Sequence, residues 1–262
     1  MEDCEFVQIR ESSLAAGSRI LGGLILLVVC AGPATAKCQD TPGPGADWSG
    51  CSKARLVLTG EDLTGTVFQR SLLTLSDFAS SKMAGANLTE TEVSRTRFEG
   101  ADLSRADFTK ALGWRANFAQ ANLTGTVFVS SDMSRSNFAQ TKAAGANFNK
   151  AELNRSDFSG ADLTGANLAK AELARVLFQS AKVTGADFSY SNLSRAGLSG
   201  LDLQGANFTR AYMFLAQIGG SDLSRAVGLT QAQVDIACGT AQTKLPDGLS
   251  QPKSWPCKEE ED

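Results

Sequence analysis

Beginning at Leu58, every fifth residue is apolar with few exceptions, and this register runs without insertion or deletion to Leu223, 34 blocks in all. The occupants are nearly all Leu, Phe, Met, Val or Ile, and the residue two before each is usually Ala, Ser or Thr. An amphipathic helix spaces its apolar residues by three and four, and a half-buried strand by two. A period of five fits neither. It fits a coil that turns a corner every five residues and points one large side chain inward from each side.

A second period gives the number of sides. Gly recurs at 65, 85, 125, 145, 165, 185 and 205, a step of twenty broken only by Arg105, and Arg recurs at 95, 115, 135, 155, 175 and 195 with the same step. Two independent columns therefore return every four blocks, and the coil is four-sided. Block centres ending in 8 are mostly Phe and those ending in 3 mostly Leu. Opposite sides thus contribute like residues to an interior of stacked Phe and stacked Leu.

Blocks such as Ala161-Asp162-Leu163-Thr164-Gly165 and Ala121-Asn122-Leu123-Thr124-Gly125 resemble the repeats of pentapeptide-repeat proteins. The resemblance covers about residues 54–227. It implies an all-β fold, a right-handed quadrilateral β-helix (solenoid), here expected to end in a short C-terminal capping helix. At a strand spacing of ~4.8 Å, the repeats would make a rod of roughly 41 Å. Gly after Thr, as at Gly65, supplies the positive φ of a type II turn. The Ser-Arg corners, as at Ser134-Arg135, are expected to use another turn. Family fold alone says little about activity.

The expected organisation is a signal peptide over 1–36, an N-terminal cap over 37–55, the repeat solenoid over 56–227, and a helical cap and tail over 228–262. The signal reading rests on the apolar run Ile20–Ala31, on Arg10 and Arg19 before it, and on Ala34-Thr35-Ala36 as a small-x-small cleavage site. The n-region is unusually acidic, with Glu2, Asp3, Glu5 and Glu11. An uncleaved membrane anchor is the alternative, although the run is short of the ~20 residues a span needs. Export implies a periplasmic or secreted bacterial protein, and it makes disulfides of Cys38, Cys51, Cys238 and Cys257. Four cysteines allow three pairings; Cys38–Cys51 with Cys238–Cys257 is the parsimonious one, and four free thiols are the alternative.

A solenoid must hide its open ends. Residues 38–56 supply turn residues, a tryptophan and two cysteines for one end. At the other, Thr230 with Gln233 three residues later reads as a helix N-terminus, with Leu229, Val234 and Ile236 facing the last coil. The tail Glu259–Asp262 is expected to be solvated.

Function must be read from outward columns. The clearest candidate is the row Arg95, Arg115, Arg135, Arg155, Arg175 and Arg195. Glu92, Asp132, Glu152 and Glu172 sit on the same side, and the preceding corner carries Arg70, Lys110, Lys150, Lys170 and Arg210. Six like charges ~4.8 Å apart repel by under ~1 kcal/mol per neighbouring pair in water. The side reads base, acid, base across its width: either a self-neutralising ladder or a docking strip for a protein or an anionic envelope partner. Gly113 leaves a gap at a Leu centre. Either Leu112 or Trp114 folds over it, or Trp114 projects among the arginines and forms a recognition spot with Arg95, Arg115 and Arg135.

The chain contains no histidine, the commonest general base. It has no phosphate loop, zinc spacing or nucleophile–base set, so neither an enzyme nor a cofactor or metal site is expected. The Asn-x-Ser/Thr matches at Asn87, Asn122 and Asn207 and the Asp residues before the centres follow from the repeat itself. The reading is a non-catalytic exported scaffold that binds protein, with a homodimer through an end cap compatible with it and membrane contact only through an uncleaved leader. The alternative comes from the resemblance, because some members mimic DNA and bind DNA gyrase. That role wants a cytoplasmic, strongly acidic rod, whereas residues 56–226 carry 16 acidic and 17 basic side chains. Nucleic acid is not an expected partner.

Overall fold

The computed structural model describes residues 38–257. The expected signal segment and the tail from Glu259 lie outside the described residues. Parallel β-bridges join residues twenty apart, and a new bridge begins every five residues, as in Asp47↔Val67, Ser52↔Leu72, Val57↔Asp77 and Asp62↔Lys82. Each coil therefore has four bridged sides, called first to fourth after these four bridges, joined by four corners. A side contributes a single bridged residue, so no longer strand forms among the described residues. Glu92 illustrates the bonding: its N–H donates to the Ser71 carbonyl at 3.0 Å, and its carbonyl accepts from the Leu73 N–H at 2.8 Å. All of these bonds run between coils, along the axis.

The corners have one conformation throughout. Every fifth residue from Gly45 to Gly220 has positive φ, whether it is Gly165 at 64° or Arg155 at 60°. The expectation that Ser-Arg corners would turn differently is thus corrected. Left-handed backbone costs an L-residue about 1–2 kcal/mol, but the stack leaves little choice. In this conformation the Arg115, Arg135 and Arg155 N–H groups meet the carbonyls of Ser134, Asn154 and Ala174 in the next coil at 2.9–3.1 Å. A differently turned corner would forfeit that bond and its place in the ladder.

The residue before each centre explains why Asp and Asn recur there. Its side-chain oxygen accepts the N–H two residues on, as Asp162 does from Thr164 (3.1 Å) and Asn207 from Thr209 (3.0 Å). This bond pre-forms the corner locally. The small residues two before the centres are buried, and their hydroxyls bond carbonyls of the previous coil: Ser136 to Gly113 at 2.7 Å and Thr126 to Leu103 at 2.8 Å.

Inside, phenylalanines from the first and third sides alternate. Phe118 and Phe138 stack along the axis at 4.8 Å, while Phe138 meets Phe148 edge-on across it at 5.8 Å. The second and fourth sides supply Leu, Met and Val, all fully buried. Gly113 interrupts the second-side column, and neither Leu112 nor Trp114 covers the gap. Met133 and Val93 close it from within: a Cβ at position 113 would lie 2.3 Å from Met133 Sδ and 3.2 Å from Val93 Cγ2. A flexible thioether suits such an irregular space.

Stacking extends beyond the repeats at both ends. Trp48 stands at a centre position, buried and edge-on to Phe68 at 5.8 Å, with Lys53 Nζ 4.4 Å from its ring. At the other end, helix α1 (Gln231–Ile236) follows the last first-side bridge, and the chain then resumes bridging as Gln217↔Cys238 and Asp222↔Lys244. The helix so takes the place of the second side. Gln233, 8% exposed, keeps the five-residue register. Its amide nitrogen donates to the Phe208 and Ala211 carbonyls at 2.8 and 2.9 Å, groups a further coil would have met. Its oxygen accepts the Thr230 N–H at 2.9 Å, completing the helix start. Val234 is buried and Leu229 half-buried, but Ile236 faces outward, contrary to its expected place against the coil. Disulfides join Cys38 to Cys51 and Cys238 to Cys257. The latter holds the tail, where the Trp255 indole lies on Gly239 and donates to the Ala237 carbonyl at 2.7 Å.

Candidate functional site

The second side differs from the others. Arg95, Arg115, Arg135, Arg155, Arg175 and Arg195 line its corner with the third side, each successive residue one coil further on. The left-handed corner geometry throws each side chain away from the axis, and all but Arg195, which is half-buried, are exposed. Trp114 projects outward among them: the Arg115 guanidinium lies 4.3 Å from the indole ring centre and that of Arg95 lies 5.3 Å away. The structure thus brings Arg95, Trp114 and Arg115 together, while Arg135 begins the remainder of the row. A guanidinium over an indole face is held by the ring quadrupole, worth about 0.5–1 kcal/mol at an exposed site.

The corner with the first side is mixed. Lys110, Lys150, Lys170 and Arg210 keep it basic, but Glu90 interrupts it and takes Arg70 in an ion pair of 2.9 Å. That bond and charge hold the Glu90 carboxyl below its usual range and raise the Arg70 guanidinium. Between the corners, the acids are partly spent on the fold. Glu92 accepts the Ser94 N–H at 3.1 Å, Asp132 the Ser134 N–H at 2.9 Å, and Glu172 the Asn192 amide at 2.8 Å.

The columns also place apolar side chains here that the sequence reading did not single out. Of the ten large exposed apolar residues among the described ones, Leu72, Leu75, Leu112, Tyr190, Tyr212, Phe214 and Ile236 belong to the second side, its two corners or the helix that replaces it. Seven of the ten thus fall on this face when its two shared corners and the replacing helix are counted with it. The signal was available in the sequence. Tyr212 stands where Asp or Asn normally accepts the corner N–H, and Phe214 and Trp114 stand where Ser, Thr, Asn or Ala is usual. The remaining acidic positions with lowered pKa values, Asp47, Asp62, Asp162 and Asp222, all owe it first to a Ser or Thr hydroxyl two residues on, with Asp222 lowered to about 2. None of them lies on the second side, and they serve corners.

The family model for a pentapeptide repeat region matches residues 131–208, and that for pentapeptide repeats (8 copies) matches residues 58–95, 81–112 and 191–227. No curated protein matches the chain. Among solved structures, the chain is similar to HetL, a pentapeptide repeat protein involved in heterocyst differentiation regulation from Nostoc sp. strain PCC 7120. It is 25% identical over 75% of this chain and 93% of that one, with a TM-score of 0.33. A trypsin-treated form of QnrB1, a plasmid-mediated fluoroquinolone resistance protein, is 25% identical over 75% and 92%, with a TM-score of 0.37. A pentapeptide repeat protein from the Arabidopsis thaliana thylakoid lumen is 26% identical over 43% and 71%, with a TM-score of 0.25.

Proposed function

The chain belongs to the pentapeptide repeat family, and from that premise we propose that it is an exported, non-catalytic scaffold that binds a protein through its second side. The observation that carries this reading is the coincidence on one face of the arginine row, the Trp114 cluster and most of the exposed apolar side chains. Arg and aromatic residues dominate the energetic centres of protein interfaces. A cationic edge also speeds encounter with an acidic partner. The coil is right-handed and quadrilateral in this reading, with the repeat body over 56–227 between a cap over 37–55 and a helical cap and tail over 228–262.

Export is supported by the apolar segment Ile20–Ala31 and by two disulfides that close the ends of the repeat body, a use of cysteine suited to an oxidising compartment. No helix among the described residues is long and apolar enough to cross a membrane. A non-catalytic role is supported by a chain without histidine and by its membership of a repeat family.

The test is a pulldown from envelope extract with the full chain and with the triple variant Arg115→Glu, Arg135→Glu, Arg155→Glu. These side chains are exposed corner residues, so the variant folds. The wild-type chain captures a partner and the variant captures none; retention of the same partner by the variant overturns the reading.

A further inference from the structure

The arginine row leads to an aromatic patch, and we infer that this patch is an anchoring site for the apolar end of an acidic α-helix that lies along the row. The inference rests on the second side being the docking face. The patch comprises Tyr190, Tyr212, Phe214 and Ile236, exposed by 50, 53, 43 and 37%. Tyr212 and Phe214 lie nearly parallel, ring centres 6.3 Å apart, and Arg210 stands over Tyr190 at 5.6 Å. Leu215 continues the arginine corner one coil beyond Arg195, whose N–H donates to the Phe214 carbonyl at 2.9 Å, and the Leu215 N–H meets the Ile236 carbonyl at 2.7 Å. Row and patch are therefore one continuous strip.

The fold does not ask for these side chains. At position 212 the repeat favours Asp or Asn, which would accept the N–H of residue 214 as Asn192 accepts that of Ser194. Tyr190 and Leu215 are bulky residues in left-handed backbone, at φ of 59° and 54°. Tyr212 thus sets aside a local stabiliser and Tyr190 carries a bulky ring at a left-handed corner, and both expose apolar surface in return, while Leu215 beside them is half-buried. Such departures from the local rule mark function more often than architecture.

The row selects the partner's shape and charge. Corner residues repeat at the coil spacing, ~4.8 Å. Same-face residues of an extended chain lie ~6.7 Å apart and fall out of step within two coils. On an α-helix, residues three and four apart along one stripe average ~5.3 Å, so a stripe of Glu or Asp stays within reach of five or six successive corners. Arg210, over the Tyr190 ring, favours an anionic neighbour there too. The acids between the two basic corners disfavour a flat anionic surface such as a bilayer.

The experiment measures binding of the full chain to synthetic helical peptides of about 21 residues, each bearing one stripe of Glu. One peptide has no apolar end; two others carry Leu and Phe at the N-terminus or at the C-terminus. The patch variant is Tyr212→Asn with Phe214→Ser, residues the repeat itself prefers, so the fold is kept. Burying one such side chain corresponds to about tenfold or more in affinity. We expect one apolar-ended peptide to bind about tenfold more tightly than the plain one, and this gain to vanish in the patch variant while plain-peptide binding is unchanged. The inference is overturned if neither apolar end improves binding, or if the gain survives in the patch variant. It is also overturned if the variant instead abolishes self-association in sedimentation or binding to phosphatidylglycerol vesicles. The triple arginine variant should lose all three peptides. If it binds the plain peptide normally, the docking reading of the row fails, whatever the patch does.

Discussion

The second and fourth sides face each other across the same coil and share nearly everything that makes the fold. Both fill the axis with Leu and Met columns, both bridge once per coil, and both turn corners in left-handed backbone. Outside they diverge. The fourth side presents Asp62, Lys82, Asp102, Asn122, Lys142, Asp162 and Lys182 in near alternation, with contacts between coils such as Asn122 to Asp102 at 2.9 Å and Lys244 to Asp222 at 3.0 Å. The corner it shares with the first side is mostly Gly. The second side concentrates arginine, Trp114 and exposed aromatics. The interior fixes the coil without fixing the outward rows, so the outside of one side can change without disturbing its opposite.

Replacing Gly113 with Leu would give the second side the centre residue typical of the fourth, yet the space is already occupied by Met133. We expect Gly113→Leu to destabilise by about 1–3 kcal/mol, with Met133→Ala in the same chain recovering most of the loss. Chemical denaturation of the single and double variants reads this directly. Equal destabilisation by both would show that Met133 does not fill the gap.

Substitutions at the corners have smaller effects. Gly165, beside the fourth side, has nothing within 4 Å of an added Cβ, so Gly165→Ala carries only the conformational cost of φ 64°, about 1 kcal/mol. Arg135→Gly, at φ 59° beside the second side, should do the reverse and stabilise by up to about 1 kcal/mol. Opposite shifts in midpoint would show that the arginine row is kept against the preference of the backbone; shifts of the same sign would remove that argument.

The smallest expected effect is acid sensitivity centred on the fourth side. Thr64, Thr164 and Ser224 hold the carboxyls of Asp62, Asp162 and Asp222 below the ordinary value, Asp222 at about 2. The unfolded chain binds these protons more readily, so their contribution is complete above about pH 4 and is lost as pH falls toward 2. Melting temperature should fall through that window, and by less in Asp222→Asn, which keeps an oxygen for the Ser224 N–H but does not titrate. An identical fall in this variant would assign the acid loss elsewhere.

Much of this was legible in the chain. The period of five and the Gly and Arg columns at twenty sufficed for the coil, because side-chain size and backbone register are local in a solenoid. Thr230 and Gln233 announced the helix for the same reason. The corner conformation was not legible from composition: Gly and Arg look like different turns, and only the hydrogen bond to the next coil forces them into one. Met133 looked like any other centre residue, since the gap it fills lies one coil away. Tyr212 and Phe214 are hidden in the chain for a different reason. In a chain read by its regular columns, the informative residues are the ones that depart from them.

The twenty-residue offset of the bridges has a consequence for how the molecule forms. Nearly every bridge spans 20 residues in a described body of about 220, a relative contact order of about 0.09, which belongs with small helical bundles rather than with β-sandwiches. Once two adjacent coils have met, each further five residues add their hydrogen bonds to a surface already in place. Assembly then advances side by side along the axis, much as a helix elongates from its first turn, and a growing chain can build its body before its C-terminal cap exists.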